Sequence, residues 1–354
     1  MAAVSIALLT YLAFWPVPIE PVAWDAPDAP ALEGAYARND RLAAIDRYAV
    51  GIGIGPEDVA VDPAGRIYAG YEDGRIVRFA PDGDDPLLLA NTGGRPLGLE
   101  FAPDGSLVVC DGHKGLLRVS PDGVIEVLAM EAGGVPFGFT NDLDVAADGT
   151  IYFSDASDKF GPAMKARDDV IEHGGRGRLM KFDPRTGETT ILLDGLQFAN
   201  GVALAPDGGS VLVAQTGQYD VLRYWLEGER SGTHEVFIGN LPGIPDGISS
   251  NGRDTYWLAL FTLRNPALDA ISRRPWLRKV VYRLPQVLQP QPVRHAFVLG
   301  LSPDGRILHN LQHAGRNSFS PITSVTEANG RLYFGSLAQD AIGVFDLAAV
   351  RTRP

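Results

Sequence analysis

The chain has 354 residues, 45% of them hydrophobic and 21% charged, which is enough apolar material for a large buried core in a single domain. A formal net charge of −12 leaves no basic stripe to neutralise phosphates, and this argues against nucleic acid as a partner. The single cysteine, Cys110, cannot form an internal disulfide and sits in the apolar run SLVVC, where it reads as core filler.

From the N-terminus, residues 1–19 carry no charge, and Ala2 to Trp15 is almost wholly apolar before Pro16. About 20 apolar residues span a bilayer, so the stretch is marginal in length. It lacks a basic n-region and a small-x-small cleavage site. We read residues 1–24 as an uncleaved membrane anchor with the rest of the chain on the non-cytoplasmic side; the alternative is an apolar arm packed on the folded domain. Residues 25–41, rich in Pro and Ala at their start, read as a linker. The folded domain is then 42–354, with a first strand expected in Leu42 to Val50.

Within that domain one pattern recurs six times: EDVAVDPAG ending at Gly65, LGLEFAPDG at Gly105, NDLDVAADG at Gly149, NGVALAPDG at Gly208, DGISSNG at Gly252 and TSVTEANG at Gly330. An apolar run follows each, so each unit reads as a β-hairpin whose glycine supplies a positive φ. The turn glycines advance by 40, 44, 59, 44 and 78 residues. Periods near ~40–45 residues with four strands per unit indicate a β-propeller. The expected fold is all-β, a six-bladed β-propeller with an N-terminal hydrophobic segment. The long steps are expected to hold an insertion at Phe160 to Arg178 in blade 3 and long loops at Thr262 to Lys279 and Leu284 to Pro292 in blade 5.

Four of the six repeats place an oxygen-bearing side chain at the leading position: Glu57, Asn141, Asn200 and Asp246. The innermost strands of a propeller line its axis, so equivalent residues converge in the tunnel, where bare burial of polar groups is costly. Two carboxylates and two amide carbonyls form an all-oxygen set of the kind that suits Ca²⁺. The bland alternative is strand-end capping without a metal. Asp58 and Asp142 follow two of these residues, and strict strand alternation turns them away from the axis.

The segments GPEDVAVD, FTNDLDVAADGTIYFSDAS, GRLMKFDP, FANGVAL, PDGIS and ITSVTEANGRLYFGSL resemble the strictosidine-synthase-like proteins, the group that includes the adipocyte plasma membrane-associated proteins. That group lies within the superfamily of gluconolactonases, paraoxonases and diisopropyl-fluorophosphatases. The resemblance implies a six-bladed propeller and, as in the metal-dependent hydrolases, a catalytic calcium on Glu57, Asn141, Asn200 and Asp246. Two positions depart from the family patterns. Strictosidine synthases carry a catalytic glutamate where this chain has Thr323, and paraoxonases carry histidines where it has Leu97 and, near the second of their pair, Asp111. Asp246 is therefore the expected general base or nucleophile. The expected activity is calcium-dependent hydrolysis of a small-molecule lactone or aryl ester. The alternatives are a membrane-anchored binding propeller with a structural calcium and, disfavoured by Thr323, carbon–nitrogen bond formation of the strictosidine type.

Other chemistry is thinly marked. No G-x-S-x-G, H-E-x-x-H or G-x-x-x-x-G-K occurs. His309 and His313 lie four apart without a carboxylate or cysteine to complete a metal set, and His113 reads as a turn residue. Arg273, Arg274, Arg278 and Lys279 surround Trp276, which marks either a solvated loop or a membrane-facing or lid patch.

Overall fold

The computed structural model describes residues 2–161 and 166–351. Six four-stranded antiparallel sheets form the blades of a propeller. The innermost strands are Val59–Val61, Pro96–Phe101, Thr140–Val145, Ala199–Leu204, Gly243–Ser250 and Val325–Ala328, one for each repeat found in the sequence. All six repeat glycines adopt φ between +70° and +86°, the left-handed turn conformation that the hairpins demand. Apolar side chains fill the spaces between sheets. Val108, Cys110, Phe153 and Phe182 pack in one cluster, and Trp257, Phe319, Phe334 and Phe345 in another, so Cys110 is core, as its run suggested.

The ring is closed by the N-terminal part of the domain. Asp46–Tyr48 pairs with Ile342–Val344 and becomes the outermost strand of blade 6. This strand falls within the segment expected to supply it.

Because strands alternate in direction, each inner strand starts, and each second strand ends, on the same face of the disc. The links between second and third strands therefore lie on the face where the inner strands begin. Two of these links are long. In blade 3, residues 156–176 include helix α2 (Ala166–Glu172). In blade 5, residues 264–294 include helices α3 (Pro266–Ala270) and α4 (Pro275–Arg283) and a 3₁₀ turn at Gln286–Leu288. Asn265 caps α3 by accepting from the Ala267 and Leu268 N–H groups, with Pro266 at the first turn.

A further helix, Ala2–Phe14, precedes the domain. Among the described residues no helix is long and apolar enough to cross a membrane. The end of the segment expected as an anchor and the start of the expected linker run along the same face: Val22 N–H donates to Glu172 O and Trp24 N–H to Ser272 O, and Asp28 O accepts from Asn240 Nδ2.

One buried ion pair anchors blade 3. Arg178 meets Asp155 at 2.5 Å with Asp155 fully buried, and also donates to Pro136 O. Removing one partner strands the other charge away from water. Arg178→Met is expected to lower unfolding free energy by roughly 3–5 kcal/mol in urea titration, and Asp155→Asn with Arg178→Met is expected to recover part of that loss.

Candidate metal centre

The inner strands open with a bulge. Pairing with the second strand is interrupted between Pro96 and Leu99, Thr140 and Leu143, Ala199 and Val202, and Pro245 and Ile248. Two residues per blade thus leave the ladder, and a bulge of this kind re-aims side chains that alternation would send to opposite faces. One of each pair is a leading residue. Its successor is Gly98, Asp142, Gly201 or Gly247.

The glycines are there because neighbouring blades touch. A Cβ on Gly201 would lie 2.3 Å from Ile248 N, and one on Gly247 would lie 2.6 Å from Thr323 O. The inner strands of blades 4, 5 and 6 approach backbone to backbone at this level.

All four leading residues are buried: Glu57 lies two residues before its inner strand, Asn141 and Asn200 are second in theirs, and Asp246 is fourth in Gly243–Ser250. Asn200 Nδ2 donates to Asp246 Oδ1 at 2.5 Å and to Thr216 Oγ1 at 3.1 Å, which commits both amide hydrogens and leaves its carbonyl oxygen free to accept. Burial, and then the charges of Asp246 and Asp58, push the Glu57 carboxyl well above the usual range, while Arg95 acts in the opposite direction. Burial pushes Asp246 up to about 7 against the Asn200 hydrogen bond. Arg95 is itself buried and donates to Gly55 O.

Two desolvated carboxylates, one of them held by the Asn200 amide, are oxygen donors of the kind that fits a hard divalent cation, and Asn141 is the buried amide at the equivalent position of blade 3. Among the described residues no three His, Cys, Asp or Glu side chains meet at one point. Half of the set here is asparagine.

Thr323 occupies the sixth leading position. Its Oγ1 donates to Glu57 O at 2.6 Å, and its carbonyl accepts from Gly247 N–H. Leu97 fills the second position with a buried apolar side chain.

Below the mouth the structure corrects the alternation argument. Asp58 and Asp142 do not turn away from the axis; with Glu100, Asp144 and Ser324 they line a tunnel cavity of about 170 Å³. The bulge re-aims Asp142, and Asp58 precedes the paired residues of its strand, so strict alternation applies to neither. Asp58 accepts from Leu99 N–H, Asp142 from Val202 N–H and Asp144 from Leu204 N–H, each on the next blade. Burial raises Glu100 to about 8 and Asp144 to about 6.

Residues missed in the sequence sit around the mouth. Phe139 and Phe198 come two residues before Asn141 and Asn200, with ring centres 6.1 Å apart. Above them lies a cap built from both insertions and the N-terminal stretch. Trp24 stacks on His173 at 4.0 Å, and Arg278 donates to Ile171 O and Ser272 O. His309 and His313 are separate: His309 stacks on Trp257, and His313 Nδ1 meets Asp40. His113 lines a second cavity with Met130, Phe137 and Thr140, beside the start of the blade 3 inner strand.

Burial, followed by the Arg278 charge, lowers His173 to about 4, and its Nδ1 has no hydrogen-bond partner. The unfolded imidazole titrates near 6.5, so it takes up a proton first as pH falls. The cap is thus expected to lose stability between about pH 6.5 and pH 4, by about 3 kcal/mol at 1.36 kcal/mol per pKa unit. The urea midpoint of the wild type should fall more steeply over that range than that of His173→Asn, which tolerates the same left-handed backbone. Parallel pH profiles would remove His173 from this role.

Residues 141–229 match the family profile described as strictosidine synthase, and residues 34–79 the one described as strictosidine synthase-like, N-terminal. The chain is 36% identical over 329 residues to Protein STRICTOSIDINE SYNTHASE-LIKE 10 of Arabidopsis thaliana, covering 83% of this chain and 85% of that protein. It is 33% identical over 377 residues to the human adipocyte plasma membrane-associated protein, covering 99% and 89%. Among solved structures it is similar to a gluconolactonase from Xanthomonas campestris, with a TM-score of 0.62, 19% identity and coverage of 93% and 97%. It is also similar to the calcium-binding protein regucalcin from Agrobacterium tumefaciens, with a TM-score of 0.58, 14% identity and coverage of 85% and 90%. At these identities the two structures speak for the fold.

Proposed function

The chain belongs to the strictosidine-synthase-like family, and from that premise we propose that it is a calcium-dependent hydrolase of lactones or aryl esters. The observation that supports the reading is the pair of buried carboxylates, Glu57 and Asp246, at a tunnel mouth, with the Asn200 amide bonded to Asp246. A gluconolactonase and a calcium-binding protein share the scaffold, so it is compatible with this chemistry, but the residues carry the argument. The name of the adipocyte relatives supports a membrane location, with the apolar N-terminal helix as the attachment.

Glu57, Asn141, Asn200 and Asp246 would hold the ion. A bound Ca²⁺ supplies Lewis acidity toward a carbonyl oxygen. Asn200 holds Asp246 in place through its amide hydrogens. Asp246 takes a proton from water as the water adds to the acyl carbon, the role of a general base. Phe139 and Phe198 give the mouth an apolar wall for an acyl or aryl group. Thr323 offers a hydroxyl, already committed to Glu57 O, and no acid for amine–aldehyde condensation.

Hydrolysis of a lactone and aryl-ester panel, with and without chelator, tests the reading. Asp246→Asn is expected to lower turnover by at least about 100-fold, the usual worth of a general base, while retaining bound calcium. Asn141→Asp is expected to keep or tighten calcium and slow turnover. Normal turnover in Asp246→Asn with calcium bound would remove Asp246 from the mechanism. If the wild type binds calcium and hydrolyses nothing on the panel, it is a binding propeller.

A second test reads the ion without activity. Calcium at 100 times its Kd should stabilise the wild type by about 2.7 kcal/mol, seen as a raised melting temperature. Glu57→Gln should lose most of that response. With chelator it should melt at or above the wild type, because one of two like charges is gone.

A further inference from the structure

We infer that α4, the 3₁₀ turn after it and the N-terminal helix, here α1, form one composite face that docks on an anionic lipid surface and holds the tunnel mouth toward the bilayer. This deepens the membrane attachment proposed above: the bilayer is gripped by the blade 5 insertion as well as by α1.

The three pieces are joined by named contacts. Arg283, the last residue of α4, donates through Nε to Trp15 O and through Nη1 to Leu12 O, satisfying carbonyls that α1 leaves open at its C-terminal end. Tyr11 of α1 donates in return to Arg283 O. Gln286–Leu288 begins three residues beyond Arg283. The insertion belongs to the link between the second and third strands of blade 5, so the assembly lies on the face where the candidate metal centre opens.

Water is an unfavourable neighbour for what this face displays. Phe14 and Trp15 are 79% and 61% exposed, Trp276 is 64% exposed, and Val287 and Leu288 are 86% and 65% exposed. Aromatic residues beside cationic side chains suit the headgroup region, and a cluster of this kind exceeds the scattered apolar exposure of ordinary surfaces. Cations accompany it in a chain of net charge −12. Arg273 is shared with Asp25, whereas Arg274 and Lys279 make no ion pair among the described residues. Unpaired cations are drawn to an anionic surface, and the exposed apolar side chains add burial on contact. Negative lipid therefore suits this patch while the rest of the acidic surface is held off.

The lone buried cysteine makes the test direct. In the full-length protein, Trp276→Cys and Leu288→Cys each provide one reactive thiol for an environment-sensitive fluorophore, and Val124→Cys labels a turn on the opposite face. With phosphatidylcholine vesicles containing phosphatidylserine, emission at 276 and 288 should rise severalfold and shift to the blue, and emission at 124 should not change. High salt, or vesicles of phosphatidylcholine alone, should weaken the response. Val287→Asp with Leu288→Asp should reduce flotation with vesicles severalfold while α1 is intact. Flotation with aqueous emission at 276 and 288 would mean that α1 alone attaches the protein, which overturns the docking face and leaves the membrane reading standing. Absence of flotation overturns both. A rise in emission with protein concentration and no vesicles would identify the face as a self-association surface and also overturn the proposal.

Discussion

Like charges confined together away from water repel strongly, and the upper tunnel is arranged around one such pair. Glu57 belongs to blade 1 and Asp246 to blade 5, with blade 6 between them. Thr323 of blade 6 is bonded to both neighbours, donating its hydroxyl to Glu57 O and accepting from Gly247 N–H. The two acid-bearing strands are therefore held at a spacing that the acids would not choose. Arg95 relieves part of the strain from one side and Asn200 from the other. A glutamate at the Thr323 position would add a third carboxylate and remove the bridging hydroxyl. The absence of that acid changes the electrostatics of the whole mouth.

The same logic continues down the axis with a different outcome. Asp58, Asp142 and Asp144 line the cavity below, and each accepts a backbone N–H of the following blade. Thr326 and Ser249 add hydroxyl bonds to Val59 O and Val325 O. Polar side chains thus stitch one inner strand to the next where apolar packing would be expected. Such stitches fix the mouth residues to a rigid ring, which is the condition for preorganised chemistry.

Much of this was legible in the residues. The repeat glycines gave the blade count because a left-handed turn admits few other residues, and the leading positions stood out because they broke an apolar pattern. The bulges and the strand ends were not legible. Both depend on contact between neighbouring blades, and period-two alternation placed Asp142, in a bulge, and Asp58, ahead of its ladder, on the wrong side. Gly201 and Gly247 were the available signal, since a glycine directly after a buried Asn or Asp marks a close backbone approach. The cap was also hidden. Its helices are short, and α4 reads as a basic loop until Arg278 is seen buried against carbonyls from two other segments. Phe139 and Phe198 carried no pattern of their own; only the register of the strands brings them to the mouth.

The closing strand has a consequence for how the chain reaches this state. Asp46–Tyr48 is made before the other strands of the six sheets, but its partner, Ile342–Val344, follows all of them. Until then blade 6 lacks its outer strand, and Ile342–Asp346 would present an unpaired edge of the kind that invites pairing with another chain. The joining contact spans most of the sequence, so its loop-closure entropy is met late and the final step is expected to be slow. Glu57 and Asp246 come together only across blade 6. The mouth is therefore assembled by the last event of folding, and a nascent chain can hold five finished blades without yet having a place for an ion.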